Sequence, residues 1–188
     1  MLRVSSLIAL IALAACGRKS TPPDTMDVPT AHAISTKPTN DGLVEEEVDL
    51  DGDGKPEIWN YYRETKDGTR FLVRKELDLN LDGQVDVISY FDDEGNLTKE
   101  EMDGDFDGKM DWVDHYENGQ RVMSEVDTDY DGKPNVWSYY VDGKIQRKER
   151  DTNGDGRIDY WERFDENGNV IKTGADTNGD GQVDTRDQ

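Results

Sequence analysis

A nine-residue phrase recurs six times along this chain of 188 residues: Asp, any residue, Asp or Asn, any residue, Asp, Gly, two further residues, and then Asp, Glu or Asn. Its copies begin at Asp49, Asp78, Asp103, Asp127, Asp151 and Asp176, so that successive starts are 24 to 29 residues apart. Oxygen-bearing side chains at alternating positions, followed by glycine, let a short loop surround a hard cation such as Ca²⁺. The regular period predicts a tandem-repeat protein whose loops are organised by calcium.

The candidate calcium ligands are the oxygen-bearing residues at positions 1, 3, 5 and 9 of each loop. In the first four loops they are Asp49, Asp51, Asp53 and Glu57; Asp78, Asn80, Asp82 and Asp86; Asp103, Asp105, Asp107 and Asp111; and Asp127, Asp129, Asp131 and Asn135. The fifth and sixth loops add a carbonyl at position 7 and a carboxylate at position 12, which gives Asp151, Asn153, Asp155, Arg157, Asp159 and Glu162, and then Asp176, Asn178, Asp180, Gln182, Asp184 and Asp187. Zinc is disfavoured because no loop contains His or Cys, and magnesium because it demands strict octahedral geometry.

The fifth and sixth loops resemble the calcium loop of EF-hand proteins over all twelve positions, and this resemblance makes them the strongest candidates. The third loop keeps an acid, Asp114, at position 12, whereas the first, second and fourth have Asn60, Ser89 and Ser138 there. An EF-hand loop lies between two helices, but strand-like runs flank these loops, so only the loop is carried over. The chain is more similar to calcium loops in β contexts, such as the blades of integrin-like propellers. A simple turn remains the alternative for each loop, because Asp and Gly also favour turns.

The segments between the loops predict strands. Residues 58–62 and 136–140 are examples of runs that are rich in β-branched and aromatic residues, which favour strands. Dipeptides such as Asn118-Gly119 follow them and suit tight hairpins. We therefore predict an all-β fold, an elongated antiparallel β-hairpin meander with calcium-binding loops along one edge and hairpin turns along the other. The repeated hairpins are similar to a MORN-type meander, although that family's glycine pattern is absent.

The N-terminal residues indicate export and lipid anchoring. Residues 1–15 form a short basic start and an apolar run of the kind found in signal peptides, and Leu13-Ala14-Ala15-Cys16 resembles the lipobox of bacterial lipoproteins. This resemblance implies cleavage before Cys16, lipidation of that residue and a membrane anchor. Gly17 replaces the Asp that retains such proteins at the inner membrane, which implies the outer membrane of a bacterial cell envelope. Residues 16–43 are predicted to be the lipidated cysteine and a disordered tether rich in Pro, Ser and Thr, and residues 44–188 the repeat domain.

The charge of the chain excludes nucleic acid as a partner. The formal net charge is −21, from 43 acids and 22 bases, and twenty of the acids occupy ligand positions in the loops. Nucleic-acid phosphates would repel such a chain. No nucleophile with a base, and no phosphate-binding loop, is recognisable, so we predict no enzymatic activity and no catalytic residue.

Three functions remain open at this stage. The first is a structural, adhesive or protein-interaction role at the cell envelope, for example in attachment or motility, with calcium stiffening the array. The second is a glycan-binding surface module that uses Trp59, Trp137 and Trp161 as stacking platforms. The third is a calcium sensor, which would need an element with two stable arrangements. The partner is accordingly expected to be a protein or a glycan.

Overall fold

Thirteen strands form one antiparallel sheet in which every strand pairs with its neighbours in sequence. The computed structural model describes residues 32–187, with the side chains of residues 35–184. The strands are β1 (His32–Pro38), β2 (Val44–Asp49), β3 (Ile58–Glu64), β4 (Arg70–Leu77), β5 (Val87–Phe91), β6 (Leu97–Met102), β7 (Trp112–Glu117), β8 (Gln120–Val126), β9 (Val136–Val141), β10 (Lys144–Arg150), β11 (Tyr160–Phe164), β12 (Val170–Ala175) and β13 (Thr185–Asp187). This order confirms the predicted all-β meander. Across the described range, no helix has the length and apolar character needed to cross a bilayer.

The beginning of the sheet differs from the prediction. The proposed signal peptide and Cys16 lie outside the described residues, but β1 occupies part of the segment 16–43 that was expected to be a disordered tether. β1 pairs with β2 from His32 opposite Asp49 to Pro38 opposite Val44. Lys37 pairs with Glu45 at 3.0 Å and with Glu47 at 2.8 Å. A polar segment can therefore form a strand here, because β2 supplies backbone hydrogen-bond partners and its glutamates pair with Lys37. The composition of the segment alone does not reveal these partners.

The repeat loops and the hairpin turns lie at opposite ends of the strands. The loops connect β2 to β3, β4 to β5, β6 to β7, β8 to β9, β10 to β11 and β12 to β13, and the hairpin turns make the alternating connections. Asn118 and Gly119 have φ values of 51° and 74°, and Asp142 and Gly143 have the same pair of values. Positive φ at both central residues is the mark of the type I′ turn that Asn-Gly and Asp-Gly favour. The predicted division into a loop edge and a turn edge is confirmed.

The sheet has almost no conventional core. Tyr61 and Val87, at 8 % and 5 % exposure, are the buried hydrophobic side chains among those that the structure describes. Most buried side chains are polar, including Asp86 at 1 % and Asp103 at 2 % exposure. Backbone ladders and interactions between side chains on the two faces must therefore supply much of the stability that a packed core gives elsewhere.

One face carries two rows of side chains that run across the strands in register. The tyrosine row, nearer the turns, is Tyr61, Arg74, Tyr90, Lys99, His115, Met123, Tyr139, Arg147, Arg163 and Lys172. The tryptophan row, nearer the loops, is Trp59, Glu76, Ile88, Glu101, Val113, Glu125, Trp137, Glu149, Trp161 and Gly174. Trp59 and Tyr61 share this face because side chains two residues apart on a strand point to the same side of the sheet.

The two rows are joined by a repeated staple of a tyrosine, a cation and a glutamate. In the first copy, the Arg74 guanidinium lies 3.8 Å from the centroid of the Tyr61 ring and 2.9 Å from a Glu76 carboxylate oxygen, and the Tyr61 hydroxyl donates to Glu76 at 3.1 Å. Two further copies are Tyr90, Lys99 and Glu101, and Tyr139, Arg147 and Glu149. A partly exposed cation–π contact contributes about 0.5–1 kcal/mol. Each staple therefore stabilises the sheet only modestly, and the contribution grows because the staple is repeated.

The opposite face has a polar row at its middle. It crosses the strands through Asn60, Lys75, Ser89, Glu100, Asp114, Ser124, Ser138, Lys148 and Glu162. Ser89, Ser124 and Ser138 are at most 8 % exposed, and the Ser89 hydroxyl donates to Glu100 at 3.0 Å. Buried hydroxyl groups need such partners because an unpaired one costs about 1–3 kcal/mol.

Candidate metal sites

Each repeat loop is closed by a backbone hydrogen bond that continues the ladder of the flanking strands. The N–H of position 9 donates to the carbonyl of the residue that precedes the loop, as Glu57 does to Val48 at 3.0 Å and Asp111 to Met102 at 2.9 Å. The same bond occurs in all six loops. The first and last ligand positions of each loop are therefore brought together by strand pairing, before any ion is considered.

The carboxylate at position 1 organises the inside of the loop. In the first loop, Asp49 accepts hydrogen bonds from the N–H groups of Gly52 at 2.5 Å and Gly54 at 2.9 Å. In the third, Asp103 accepts from Phe106 and Gly108, both at 2.7 Å. The other four loops repeat the pattern with the carboxylates of Asp78, Asp127, Asp151 and Asp176. Position 6 is glycine throughout because its φ lies between 83° and 90°, a region that disfavours other residues.

The remaining ligand positions also accept backbone N–H groups. Position 5 accepts from the amide of position 7, as Asp53 does from Lys55 and Asp107 from Lys109. Amides of position 7 donate in the same way at Arg157 and Gln182, the residues whose carbonyls were predicted as ligands. Position 9 accepts from the amide of position 2, as in the 2.6 Å bond from Leu50 to Glu57. Asn135, Asp159 and Asp184 at position 9 take a second bond from a threonine hydroxyl at position 2.

Three of the loops gather carboxylates closely enough to share one ion. Oxygens that share a calcium ion at 2.3–2.6 Å lie at most about 5 Å apart. One oxygen from each member of a group lies within 4.8 Å of the others in the first, third and fourth loops. The groups are Asp49, Asp51, Asp53 and Glu57; Asp103, Asp105 and Asp111; and Asp127, Asp129 and Asp131. These clusters could hold a metal ion.

The strongest clusters are not in the loops that the sequence ranks highest. The second, fifth and sixth loops have Asn80, Asn153 and Asn178 at position 3, so each contributes one carboxylate fewer there. Each of these amide oxygens accepts the N–H of position 5 at 2.9 Å. Within the described residues, the fifth and sixth loops do not bring three carboxylates together in the way that the first loop does.

At position 12, Asp114 and Glu162 are members of the polar row. Asp114 is 9 % exposed and accepts hydrogen bonds from Trp112 Nε1 at 2.8 Å, from Arg121 at 3.1 Å and from the Ser124 hydroxyl. Glu162 lies within β11 and accepts from Arg150 at 3.0 Å. Asp187 lies on β13, and its side chain is outside those described. Because a strand follows each of these loops, the residue at position 12 lies opposite residues of the neighbouring strands. In an EF-hand, a helix follows the loop instead.

The carboxylates at position 3 of the third and fourth loops differ electrostatically from those at position 1, whose pKa is lowered in both the first and the fourth loops. Burial, together with the charges of Asp107, Asp111 and Asp103, raises the pKa of Asp105. A hydrogen bond to the Asp127 carboxyl, with burial and the charge of Asp131, raises the pKa of Asp129. By contrast, the N–H of Gly52 is the main cause that lowers the pKa of Asp49. A cation would therefore relieve the most electrostatic repulsion at position 3 of these two loops.

Position 4 was not singled out by the sequence pattern, yet its backbone is left-handed in every loop. Glycine fills it in the first, fifth and sixth loops, whereas Leu81, Phe106 and Tyr130 fill it in the others with φ of 65°, 64° and 60°. Their side chains are 60 %, 44 % and 51 % exposed. A bulky residue in this region costs on the order of 1 kcal/mol relative to glycine. In the sequence, the only sign of this left-handed backbone is that glycine occupies position 4 in three of the six loops.

Successive loops are connected directly. The N–H of position 1 donates to the carbonyl of position 9 in the preceding loop, as Asp103 does to Asp86 at 2.8 Å and Asp127 to Asp111 at 2.7 Å. Five such bonds link the six loops. The ligand residues thus form one continuous acidic row along the edge of the sheet.

Comparison with known proteins adds little to this geometry. No protein-family model matches the chain, and no curated protein is similar to it. Among solved structures, it is similar to the crystal structure of accessory secretory proteins 1, 2 and 3 in Streptococcus pneumoniae, with 19 % sequence identity and a TM-score of 0.32. The match covers 58 % of this chain and 17 % of that chain. A likeness at this level establishes neither a common fold nor a common function.

Proposed function

We propose that the protein is a calcium-binding, lipid-anchored component of the bacterial cell envelope, with a structural or protein-interaction role. The observation that carries the calcium assignment is the grouping of Asp49, Asp51, Asp53 and Glu57 within 4.8 Å, with similar groups two and three repeats further along. Four hard oxygen donors at this separation suit calcium, which accepts six to eight oxygens in a flexible shell. Calcium would neutralise these closely spaced carboxylates and hold the loops in this conformation.

The hydrogen bonds inside the loops are compatible with metal binding. Asp49 uses each of its two carboxylate oxygens once, for Gly52 and for Gly54. An ionised carboxylate has about four acceptor sites, so each oxygen keeps a lone pair for an ion. The N–H groups hold the carboxylates in place, and the metal would add a further partner without displacing them.

Isothermal titration calorimetry with CaCl₂, after treatment with EDTA, tests the proposal. We expect at least the three clustered loops to bind calcium in preference to magnesium. Glu57→Gln should remove one site, because the amide can still accept the Leu50 N–H but contributes no charge to the ion. Glu94→Gln, in a hairpin turn at the opposite edge, is the matched control and should change nothing. Absence of binding heat at millimolar calcium would leave the loops as turns only.

The cellular role rests on the anchor and on the shape of the sheet. Cys16 would attach the chain to the outer membrane through its lipid, and the extended array would present its faces to a protein partner without catalysis. Mass spectrometry of the protein from bacterial membranes checks the anchor. Diacylglycerol on an N-terminal Cys16, and its loss in Cys16→Ser, are the expected results. An unmodified Cys16 in a membrane fraction would contradict the anchor while leaving the calcium sites untouched.

A further inference from the structure

The regular pattern of the two rows breaks at the hairpin of β11 and β12. In the tryptophan row, Trp59 lies between Glu47 and Glu76 in the ladder, and Trp137 lies between Glu125 and Glu149. Trp161 instead lies between Glu149 and Gly174. Glycine therefore stands where the other return strands carry a glutamate, so the residue directly opposite Trp161 on β12 has no side chain.

The neighbouring tyrosine row changes at the same place. Arg163 occupies the position that Tyr61, Tyr90, His115 and Tyr139 occupy in the earlier repeats. Arg147, Arg163 and Lys172 consequently follow one another directly across three strands. Like charges on directly opposite residues destabilise a sheet. This is a concentration of positive charge on one face of a chain whose net charge is −21.

Two of these cations are available to a ligand. Arg147 is engaged by the Tyr139 ring at 4.0 Å and by Glu149 at 3.3 Å. Arg163 and Lys172 are exposed, and neither makes an ion pair or hydrogen bond with the side chains that the structure describes. Backbone pairing also places Arg186 of β13 opposite Gly174. An anion at this end of the face would offset the charges of Arg163 and Lys172, which the described side chains leave unpaired.

A concavity of about 470 Å³ lies at this break in the pattern. It is lined by Trp161, Gly174 and Val183, by the cations Arg147, Arg163 and Lys172, and by the acids Glu149 and Glu162. A volume of this size falls within the usual range for small-molecule sites. The strands beneath it are paired on both sides, so an extended peptide would find no free backbone groups there and could not add a strand. Recognition must come from side chains, namely one indole and the adjacent cations.

We propose that this concavity binds an acidic saccharide. One face of a pyranose ring carries mainly C–H groups and packs well on the flat apolar surface of an indole, here that of Trp161. Carboxylate or sulfate groups of the sugar would lie beside Arg163 and Lys172, where charge-assisted hydrogen bonds are available. Both acids of the lining already have partners, since Arg147 and the Tyr139 hydroxyl hold the Glu149 carboxylate and Arg150 holds that of Glu162 at 3.0 Å. The concavity also reaches Val183 of the sixth loop, so binding is measured both with and without calcium.

Calorimetry with the full protein, in calcium and in EDTA, tests the site with trigalacturonate and a sulfated heparin disaccharide. Maltotriose is the neutral control, and hexaglutamate is the control for acidic peptides. The sharpest variant is Gly174→Glu, because it restores the glutamate that the equivalent strands tolerate and should cover Trp161 without disturbing the fold. We expect it, and Lys172→Glu, to weaken binding of the acidic sugar by about tenfold or more. Trp137→Ala, in the covered position of the preceding repeat, should change the affinity less than about twofold.

Four results would overturn the proposal. The first is no binding of either acidic saccharide at about 10 mM. The second is binding of hexaglutamate in preference to both saccharides, which would assign the site to an acidic protein. The third is unchanged saccharide affinity in Gly174→Glu and Lys172→Glu, with circular dichroism showing that both variants are folded. Equal binding of trigalacturonate and maltotriose would also contradict the role given to the cations.

Discussion

Removing calcium should cost this protein a large part of its stability. Three loops gather carboxylates into groups that could hold an ion. Extracellular calcium modules have dissociation constants of about 10⁻⁴–10⁻³ M, so about 5 mM calcium adds roughly 1–2 kcal/mol for each filled site by mass action. Three sites would then contribute about 3–6 kcal/mol. Domains of this size have total stabilities of about 5–15 kcal/mol.

The assay is urea and thermal unfolding, followed by circular dichroism, in EDTA, in CaCl₂ and in MgCl₂ at matched ionic strength. We expect the midpoint temperature in calcium to exceed that in EDTA by more than about 6 °C, since each kcal/mol shifts the midpoint by about 2–4 °C in a domain of this size. Magnesium should give a smaller shift. Equal unfolding free energies in all three solutions would refute the calcium argument.

A charge-neutralising variant separates metal binding from simple screening. Asp51 is exposed and lies in the group with Asp49, Asp53 and Glu57. Asp51→Asn should raise the unfolding free energy in EDTA, because it removes repulsion, and lower the stabilisation by calcium, because it removes a charged ligand. The sign of the effect therefore reverses between the two solutions. Glu94→Gln should show no reversal. If Asp51→Asn changed the free energy of unfolding with the same sign in both solutions, the metal site would be contradicted.

Three further perturbations address the sheet. Tyr61→Phe should lower the unfolding free energy by about 1 kcal/mol through loss of the hydroxyl bond to Glu76, whereas Tyr130→Phe, at an exposed loop tip, should not; equal effects would argue against the staple. Burial and Glu101 raise the pKa of Tyr90 to about 12, and the pKa values of four other tyrosines rise as well. The free energy of unfolding should therefore be intact below pH 10 and fall as the pH rises towards about 12. Ultraviolet titration follows the ionisation of the phenols, and urea unfolding at the same pH values follows the stability. A free energy of unfolding that does not fall as the phenols ionise would contradict the prediction. Gly83→Ala should cost on the order of 1 kcal/mol because φ is 87°, and an unchanged urea midpoint would show that the loop adapts.

The fold was predictable because its signals are local and repeated. Alternating acids, runs of β-branched and aromatic residues, and pairs such as Asn118-Gly119 each specify a loop, a strand or a turn without reference to distant residues. Their order along the chain then leaves little choice of topology. The loop edge and turn edge follow from the alternation alone.

The parts that could not be predicted depend on register. The staples require Arg74 to lie opposite Tyr61 and next to Glu76, and nothing local sets that alignment before the strands pair. The spacing of a cation and a glutamate two residues apart, as in Arg74 and Glu76 or Arg147 and Glu149, is the signal that could have revealed them. Position 12 is a related case, because an EF-hand places that residue near the ion whereas a strand places it in the ladder. The roles of Glu162 and Asp187 as ligands stay predictions.

Metal binding would be coupled to strand pairing in this sheet, because the candidate ligand residues also take part in the hydrogen bonds that join the loops. The Asp103 side chain accepts the N–H groups of Phe106 and Gly108, while its own N–H bonds to the carbonyl of Asp86 in the preceding loop. Core packing cannot hold the repeats together if those bonds weaken, since so few described hydrophobic side chains are buried. In a linear array each repeat depends on its neighbours, so emptying one loop should loosen the adjacent ones. Hydrogen exchange should show this as faster exchange of the Asp127 amide when Asp105→Asn weakens the third loop in calcium. Acceleration confined to the third loop itself would mean that the repeats are independent.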